Sequence, residues 1–160
     1  MKQRTSSAAG PAQTDRMAVG VQVVIDCADP AQLAEFWATV LGYKVQDPPP
    51  GFATWQDFLT AQGVPESEWN SASAIVDPSG PGPRVYFQRV PEPKTVKNRV
   101  HLDVNVGGGR ETHIDVRRSR AHAESQRLQQ LGAKELWIND DWRGFSIVMQ
   151  DPEGNEFCLQ

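Results

Sequence analysis

The order of apolar and polar residues repeats along the chain. Alternating, β-branched runs at residues 21–27 and 100–106 each predict a strand. A helix is predicted after each strand. The first helix begins at Asp29-Pro30, which supply an N-cap and a first-turn proline. The second helix spans about residues 112–131. Both helices end in the same pair, Leu41-Gly42 and Leu131-Gly132. The chain therefore contains two copies of one unit.

Three short strands are predicted after each helix. In the first unit they lie at residues 43–46, 71–76 and 84–90, and in the second at 134–138, 144–150 and 155–160. Similar turns precede the last strand of each unit, Asp77-Pro78-Ser79-Gly80 and Asp151-Pro152-Glu153-Gly154. The repeated unit is thus βαβββ, and the predicted fold class is α+β. A weaker helical pattern at 53–62 predicts a helix inserted into the first unit.

The length of 160 residues fits one domain, or two small modules that share a core. Residues 1–17 are predicted to form a flexible tail, because they are polar and have no periodic pattern. The domain is predicted over 18–160, with module one at about 18–92 and module two at about 98–160. A proline-punctuated linker separates the modules.

The strand alternation predicts which residues face the helices and which face away. In the first strands, the more apolar sets around Ile25 and Val104 face the helices, as do Phe87 and Phe157 in the last strands. The opposite, open face carries these predicted pocket residues: Gln22, Asp26, Tyr86, Gln88, His101, Asp103, Glu156 and Cys158. Such a face could simply be hydrated. Because the pattern repeats, we favour two sheets that curve together around a polar pocket.

Composition and charge exclude several classes of function. Apolar residues make up 39% of the chain and the net charge is −4, which argues against a nucleic-acid or anionic-membrane partner. No apolar run could span a bilayer, and residues 1–16 lack the apolar core of a secretory signal. The two cysteines fit a reducing cytoplasm, although a Cys27–Cys158 disulfide remains open.

Several motifs resemble the vicinal oxygen chelate superfamily, which includes glyoxalase I, extradiol dioxygenases, and fosfomycin and bleomycin resistance proteins. The matching segments are Phe87 to Lys94, Lys97 to Asp103, and Asp151 to Cys158, which resemble the bacterial glyoxalase-like domain group. The resemblance runs from about Ala18 to the C-terminus. It implies a cupped, antiparallel-rich barrel with the helices outside, a small-molecule ligand in the cup, and a homodimer.

The resemblance also implies where a metal would bind, on the first and last strands of each module. Carried over by position, the ligands are Gln22, Gln88, His101 and Cys158. Two carboxylates of the family pattern are missing, which weakens an octahedral site for a hard divalent ion. We therefore expect no metal cofactor. Zinc on His101 and Cys158 is the alternative, with Asp103 or Glu156 as the anionic ligand.

Other residues leave two interpretations open. Cys158 could be a nucleophile, but a lone cysteine in a terminal strand is more often a packing residue. Trp55 and Trp69 could form pocket walls, or they could cover exposed core. Lys94 and Lys97 could steer an anionic ligand, or they could belong to a charged linker.

Three functions compete. We favour a protein that binds a small molecule in the cup without a metal. The alternatives are a metal-dependent lyase, isomerase or dioxygenase, and metal-free acid–base catalysis by His101 with Asp103 or Glu156. Glyoxalase I activity itself is not expected, because the two carboxylates are missing. The sequence leaves open whether the protein is an enzyme.

Overall fold

The computed structural model of the protein describes residues 19–109 and 111–160, so the predicted tail at residues 1–17 lies outside the described residues. Module one contains β1 (Val23–Cys27), α1 (Pro30–Leu41), β2 (Lys44–Val45), α2 (Trp55–Ala61), a 3₁₀ turn (Glu66–Glu68), β3 (Ala72–Val76) and β4 (Val85–Arg89). Module two contains β5 (Asp103–Val104), α3 (Ile114–Gln129), β6 (Lys134–Asp141), β7 (Gly144–Gln150) and β8 (Glu156–Leu159).

Each module forms a four-stranded sheet with the same topology, in the orders β1-β4-β3-β2 and β5-β8-β7-β6. The first and last strands of each module pair in parallel, and the remaining neighbours are antiparallel. The predicted α+β class with two βαβββ modules is confirmed. No strand pairing joins the two sheets among the described residues, so the predicted barrel is not confirmed.

Two strands of module two differ in length from the prediction. The strand expected at 100–106 is reduced to Asp103–Val104, whereas the strand expected at 134–138 extends to Asp141. The extension arises because β6 and β7 form a hairpin whose register continues to Asp141 opposite Gly144, around the exposed Trp142. Within the described ranges, no helix is both long and apolar enough to cross a bilayer.

Helix α1 has the ends that the sequence predicts. The Asp29 carboxylate accepts a hydrogen bond from the Gln32 N–H at 3.1 Å, and Pro30 occupies the first turn. Gly42 ends the helix with a φ of 67°, a conformation that favours glycine. The apolar face of α1 is buried against its own sheet through Leu33, Phe36, Trp37 and Val40.

The modules meet where the last turn of module two contacts α1. The rings of Trp37 and Phe157 pack with their centroids 5.1 Å apart, and the Trp37 indole N–H donates to the Asp151 carboxylate at 3.1 Å. The Glu153 carboxylate accepts 2.7 Å hydrogen bonds from the backbone N–H groups of Ala28 and Asp29, at the start of α1. The two modules therefore share one core.

Cys27 makes the stability of this core sensitive to alkaline pH. Burial, together with the nearby Glu153 and Asp29 carboxylates, raises the pKa of the Cys27 thiol from 9.0 to about 12. Above pH 9 the unfolded chain loses a proton that the folded protein keeps, so the unfolded state is favoured. We expect the free energy of unfolding to fall as pH rises from 9 towards 12, by at most about 1.4 kcal/mol per pH unit.

Urea unfolding between pH 8 and 10.5 measures this dependence. The Cys27→Ala variant removes the thiol and should lose stability less steeply above pH 9 than the original protein does. Burial and the charge of Asp77 also raise the pKa of Tyr43. Tyr43 is present in both proteins, so it contributes equally to the pH dependence of both. Parallel curves would show that the Cys27 thiol ionises as easily in the folded protein as in the unfolded chain.

Candidate functional site

The open face of module two carries a row of side chains that crosses all four strands. Asp103 pairs with Cys158, Cys158 with Val148, and Val148 with Trp137. These positions share one face because paired residues of neighbouring strands point to the same side of a sheet. The row passes from a carboxylate and a thiol to an apolar wall that ends in Trp137, which is 47% exposed.

His101 joins the polar end of this row. Its Nε2 lies 3.3 Å from Asp103 Oδ1, and both side chains are nearly half exposed. The ligand atoms of His101, Asp103 and Cys158 all lie within 4.8 Å of one another. The structure thus brings together the two predicted catalytic candidates, His101 and Asp103, and two of the four predicted metal positions, His101 and Cys158. We call these three residues the triad.

Cys158 is not set up as a nucleophile. Burial, together with the charge of Asp103, raises the pKa of the Cys158 thiol from 9.0 to about 11, and the opposing effect of Lys97 is smaller. The protonated thiol therefore dominates at neutral pH, and a reactive thiolate is disfavoured.

The triad fits zinc better than it fits a hard divalent ion. An imidazole, a carboxylate and a thiolate are three good zinc ligands, and catalytic zinc sites commonly have three protein ligands and one open position. Asp103 supplies a carboxylate, which is absent from the four ligand positions carried over from the family pattern. The two other predicted metal ligands belong to module one, where Gln22 accepts a hydrogen bond from Arg84 and Gln88 lies opposite Asp26.

The Glu156 side chain is bound to the linker between the modules. Its carboxylate lies 3.1 Å from Lys94 Nζ and accepts a hydrogen bond from the Asn98 N–H at 2.9 Å. Burial alone would raise the pKa of Glu156, but the hydrogen bonds from Asn98 and Lys94 outweigh burial and lower it. Glu156 is therefore a charged structural contact and not a free base, and Lys94 pairs with it.

In module one, Gln22 is bound to an arginine that the sequence reasoning missed. Arg84 Nη1 donates to Gln22 Oε1 at 2.8 Å, and Arg84 Nε donates to Gln46 Oε1 at 2.7 Å. The guanidinium carbon lies 5.1 Å from the ring centroid of Tyr86. The alternation of β4 could have found it, since Arg84 falls on the same face as Tyr86.

The strand pairing also changes which positions of the two modules correspond. Val24, two residues after Gln22, lies opposite Tyr86, just as Asp103, two residues after His101, lies opposite Cys158. If Gln22 corresponds to His101, then Tyr86 and not Gln88 corresponds to Cys158. Gln88 is exposed and lies opposite Asp26.

Two cavities contain four of the eight residues of the predicted pocket in their linings. A cavity of about 660 Å³ lies between the modules, and its lining includes Asp26, His101 and Glu156. A second cavity of about 600 Å³ lies on module one, and its lining includes Tyr86 and the inserted segment. No residue lines both cavities, and Gln22, Gln88, Asp103 and Cys158 line neither.

The two paired βαβββ modules define a glyoxalase/bleomycin resistance/dioxygenase fold of the vicinal oxygen chelate superfamily. Residues 22–160 match the family model described as glyoxalase-like domain, and the chain belongs to this family. A search of curated proteins found no match to this sequence.

Solved structures with the same fold are distant in sequence. An enzyme of the glyoxalase/bleomycin resistance protein/dioxygenase family from Burkholderia phytofirmans is 13% identical, with 86% of this chain and 94% of that chain covered and a TM-score of 0.53. A possible glyoxalase from Bacillus cereus is 14% identical, with 89% and 99% covered and a TM-score of 0.52. A FosX fosfomycin resistance protein from Listeria monocytogenes, complexed with Mn(II) and a dihydroxypropylphosphonic acid, is 10% identical, with 90% of each chain covered and a TM-score of 0.55. At these identities the similarity shows the fold alone.

Proposed function

We propose that the protein binds a small molecule in the cavity between its two modules. The observation that carries this proposal is the cavity of about 660 Å³, whose lining combines apolar side chains such as Val24 and Val100 with the polar groups of Asp26 and His101. This volume and this mixture are typical of small-molecule sites.

The charges of the lining indicate the chemistry of the ligand. Asp26, Glu92, Glu153 and Glu156 contribute four carboxylates, and Lys94 contributes the one lysine or arginine. Lys94 is paired with Glu156, and Glu153 accepts the N–H groups at the start of α1. Asp26 and Glu92, whose carboxylates have no hydrogen-bond or ion-pair partner among the described residues, are left to accept hydrogen bonds from a ligand. We propose a ligand with amine or hydroxyl donors.

A ligand panel observed by thermal shift and NMR tests the proposal. Amines, polyols and amino sugars should stabilise the folded protein as their concentration exceeds Kd, by about 2.7 kcal/mol at 100 times Kd. The His101→Ala variant should weaken binding, whereas the control His122→Ala, on the exposed side of α3, should not. Equal binding by both variants would place the ligand elsewhere, and a panel without any binder would count against the proposal.

The second candidate function is a zinc-dependent lyase or isomerase, since zinc is not redox-active and does not supply the electron transfer of a dioxygenase. The convergence of the triad within 4.8 Å favours it. Bound zinc would act as a Lewis acid on an oxygen of the substrate. His101, Asp103 and Cys158 would hold the metal. Mass spectrometry for metal content, on protein purified without chelators or metal resin, distinguishes the two candidate functions. Stoichiometric zinc supports the enzyme. Protein that is metal-free and stays so after incubation with zinc supports the binding protein.

We also propose that two copies associate through the open faces and that the protein is cytoplasmic. Val24 and Trp137 are large apolar residues on these faces that are about half exposed, and a second copy would cover them. Both cysteines are free thiols, which fits a reducing compartment. Sedimentation equilibrium tests the association, and a monomer at all concentrations would contradict it.

A further inference from the structure

The cavity on module one is formed by the inserted segment together with the sheet of that module. Helix α2 and the following 3₁₀ turn supply Trp55 and Trp69, and the sheet supplies Arg84 and Tyr86. We call this space of about 600 Å³ the aromatic chamber. It shares no lining residue with the cavity between the modules, so it is a separate candidate site.

Both indoles of the chamber are held in place by hydrogen bonds. The Trp55 N–H donates to the Gln46 carbonyl at 2.7 Å, and the Trp69 N–H donates to the Val64 carbonyl at 3.0 Å. Because each polar N–H is already satisfied by the backbone, the indoles offer a ligand only their aromatic surface. Positioned aromatic walls bind a flat ring with little loss of side-chain entropy.

Arg84 gives the chamber a positive charge that no carboxylate among the described residues neutralises. Both hydrogen-bond partners of its side chain, Gln22 and Gln46, are neutral amides, and within 19–109 and 111–160 it forms no ion pair. The other charged lining residue, Glu68, is paired with Arg89 at 2.9 Å. An arginine without an acidic partner can bind a carboxylate through two parallel N–H groups.

We propose that the aromatic chamber binds a planar aromatic carboxylate. The ring lies against Trp55 and Trp69, and the carboxylate binds the guanidinium of Arg84. Gln22 and Gln46 act as positioning residues, because they hold Nη1 and Nε and so orient the planar group. This site does not depend on the ligand proposed for the cavity between the modules.

The test compares an aromatic acid with its neutral amide on the intact protein. Indole-3-carboxylate and 2-naphthoate should bind about 10- to 100-fold more tightly than indole-3-carboxamide and 2-naphthamide, since hydrogen bonds to a charged group are the strong ones. Calorimetry measures the affinities, and NMR contacts from the ligand to the indole protons of Trp55 and Trp69 locate the ligand. Equal affinities for acid and amide would overturn the proposal, as would ligand contacts to Val24 or His101 instead.

Variants separate the charge of Arg84 from general effects. Arg84→Met should reduce the acid affinity to that of the amide, and Arg84→Lys should restore only part of it, because lysine keeps the charge but not the planar donors. Arg143→Met, at the exposed β6–β7 turn, is the matched control and should bind the acid unchanged. His101→Ala should also leave the acid affinity unchanged, which distinguishes this site from the cavity between the modules. If Arg84→Met binds the acid as the original protein does, the assignment is wrong; if this variant does not fold, the comparison of acid with amide on the original protein decides.

Discussion

Replacing Trp37 with alanine should lower the free energy of unfolding by about 3–5 kcal/mol, the range for removing a large buried aromatic side chain. Trp37 is 2% exposed and packs between Phe36 of its own helix and Phe157 of the other module. The alanine variant would leave a cavity where the modules meet and would remove an N–H donor from the buried Asp151. Because a domain of this size has a stability of about 5–15 kcal/mol, much of it would be lost.

Two further variants show which part of Trp37 matters. Trp37→Phe keeps a ring but removes the donor to Asp151, which retains hydrogen bonds from Glu153 and Asn155, so the cost should be about 1 kcal/mol. Trp142→Ala is the control, since this indole is 91% exposed and its loss should change stability by less than about 0.5 kcal/mol. Urea unfolding measures all three. A Trp37→Ala variant as stable as Trp142→Ala would mean that the modules do not depend on this contact.

If the triad binds zinc, as the second candidate function requires, replacing Cys158 with alanine should lower the affinity for added zinc by at least about 100-fold. Removing a residue that only hydrogen-bonds to a metal ligand already lowers metal affinity about 10- to 100-fold. Removing a ligand itself should lower the affinity by no less. Competition with a chromogenic chelator at constant pH measures the affinity. His101→Ala should act in the same direction, because the ligand atoms of the triad lie within 4.8 Å of one another.

Cys27→Ala is the matched control for the zinc experiment. It also removes one thiol, but Cys27 is buried at the end of β1, where its Sγ lies 3.6 Å from the Gln88 carbonyl oxygen. Glu156→Gln should change zinc affinity little, since its carboxylate is held by Lys94 and Asn98. Zinc affinity that survives the loss of Cys158 would exclude the triad as the zinc site and with it the second candidate function.

The repeated unit, and the faces of residues in the first and last strands of each module, could be predicted from the amino-acid sequence. Asp29-Pro30 and Gly42 mark the ends of α1 because capping depends on a few neighbouring residues. Alternation along the strands placed Phe87 and Phe157 in the core, where the structure has them. Alternation also placed His101, Asp103 and Cys158 on one open face. These are local properties, and a single sequence is sufficient to determine them.

Which open-face residues contact one another depends on the three-dimensional fold and could not be predicted from the sequence. The register between β5 and β8 puts Asp103 beside Cys158, and the linker returns to engage Glu156 through Lys94. The inserted segment lines one cavity together with Tyr86, whereas Asp26, His101 and Glu156 line another. Sheet register and loop placement depend on contacts between residues far apart in the chain, and the alternation pattern is the same for every register shifted by two residues.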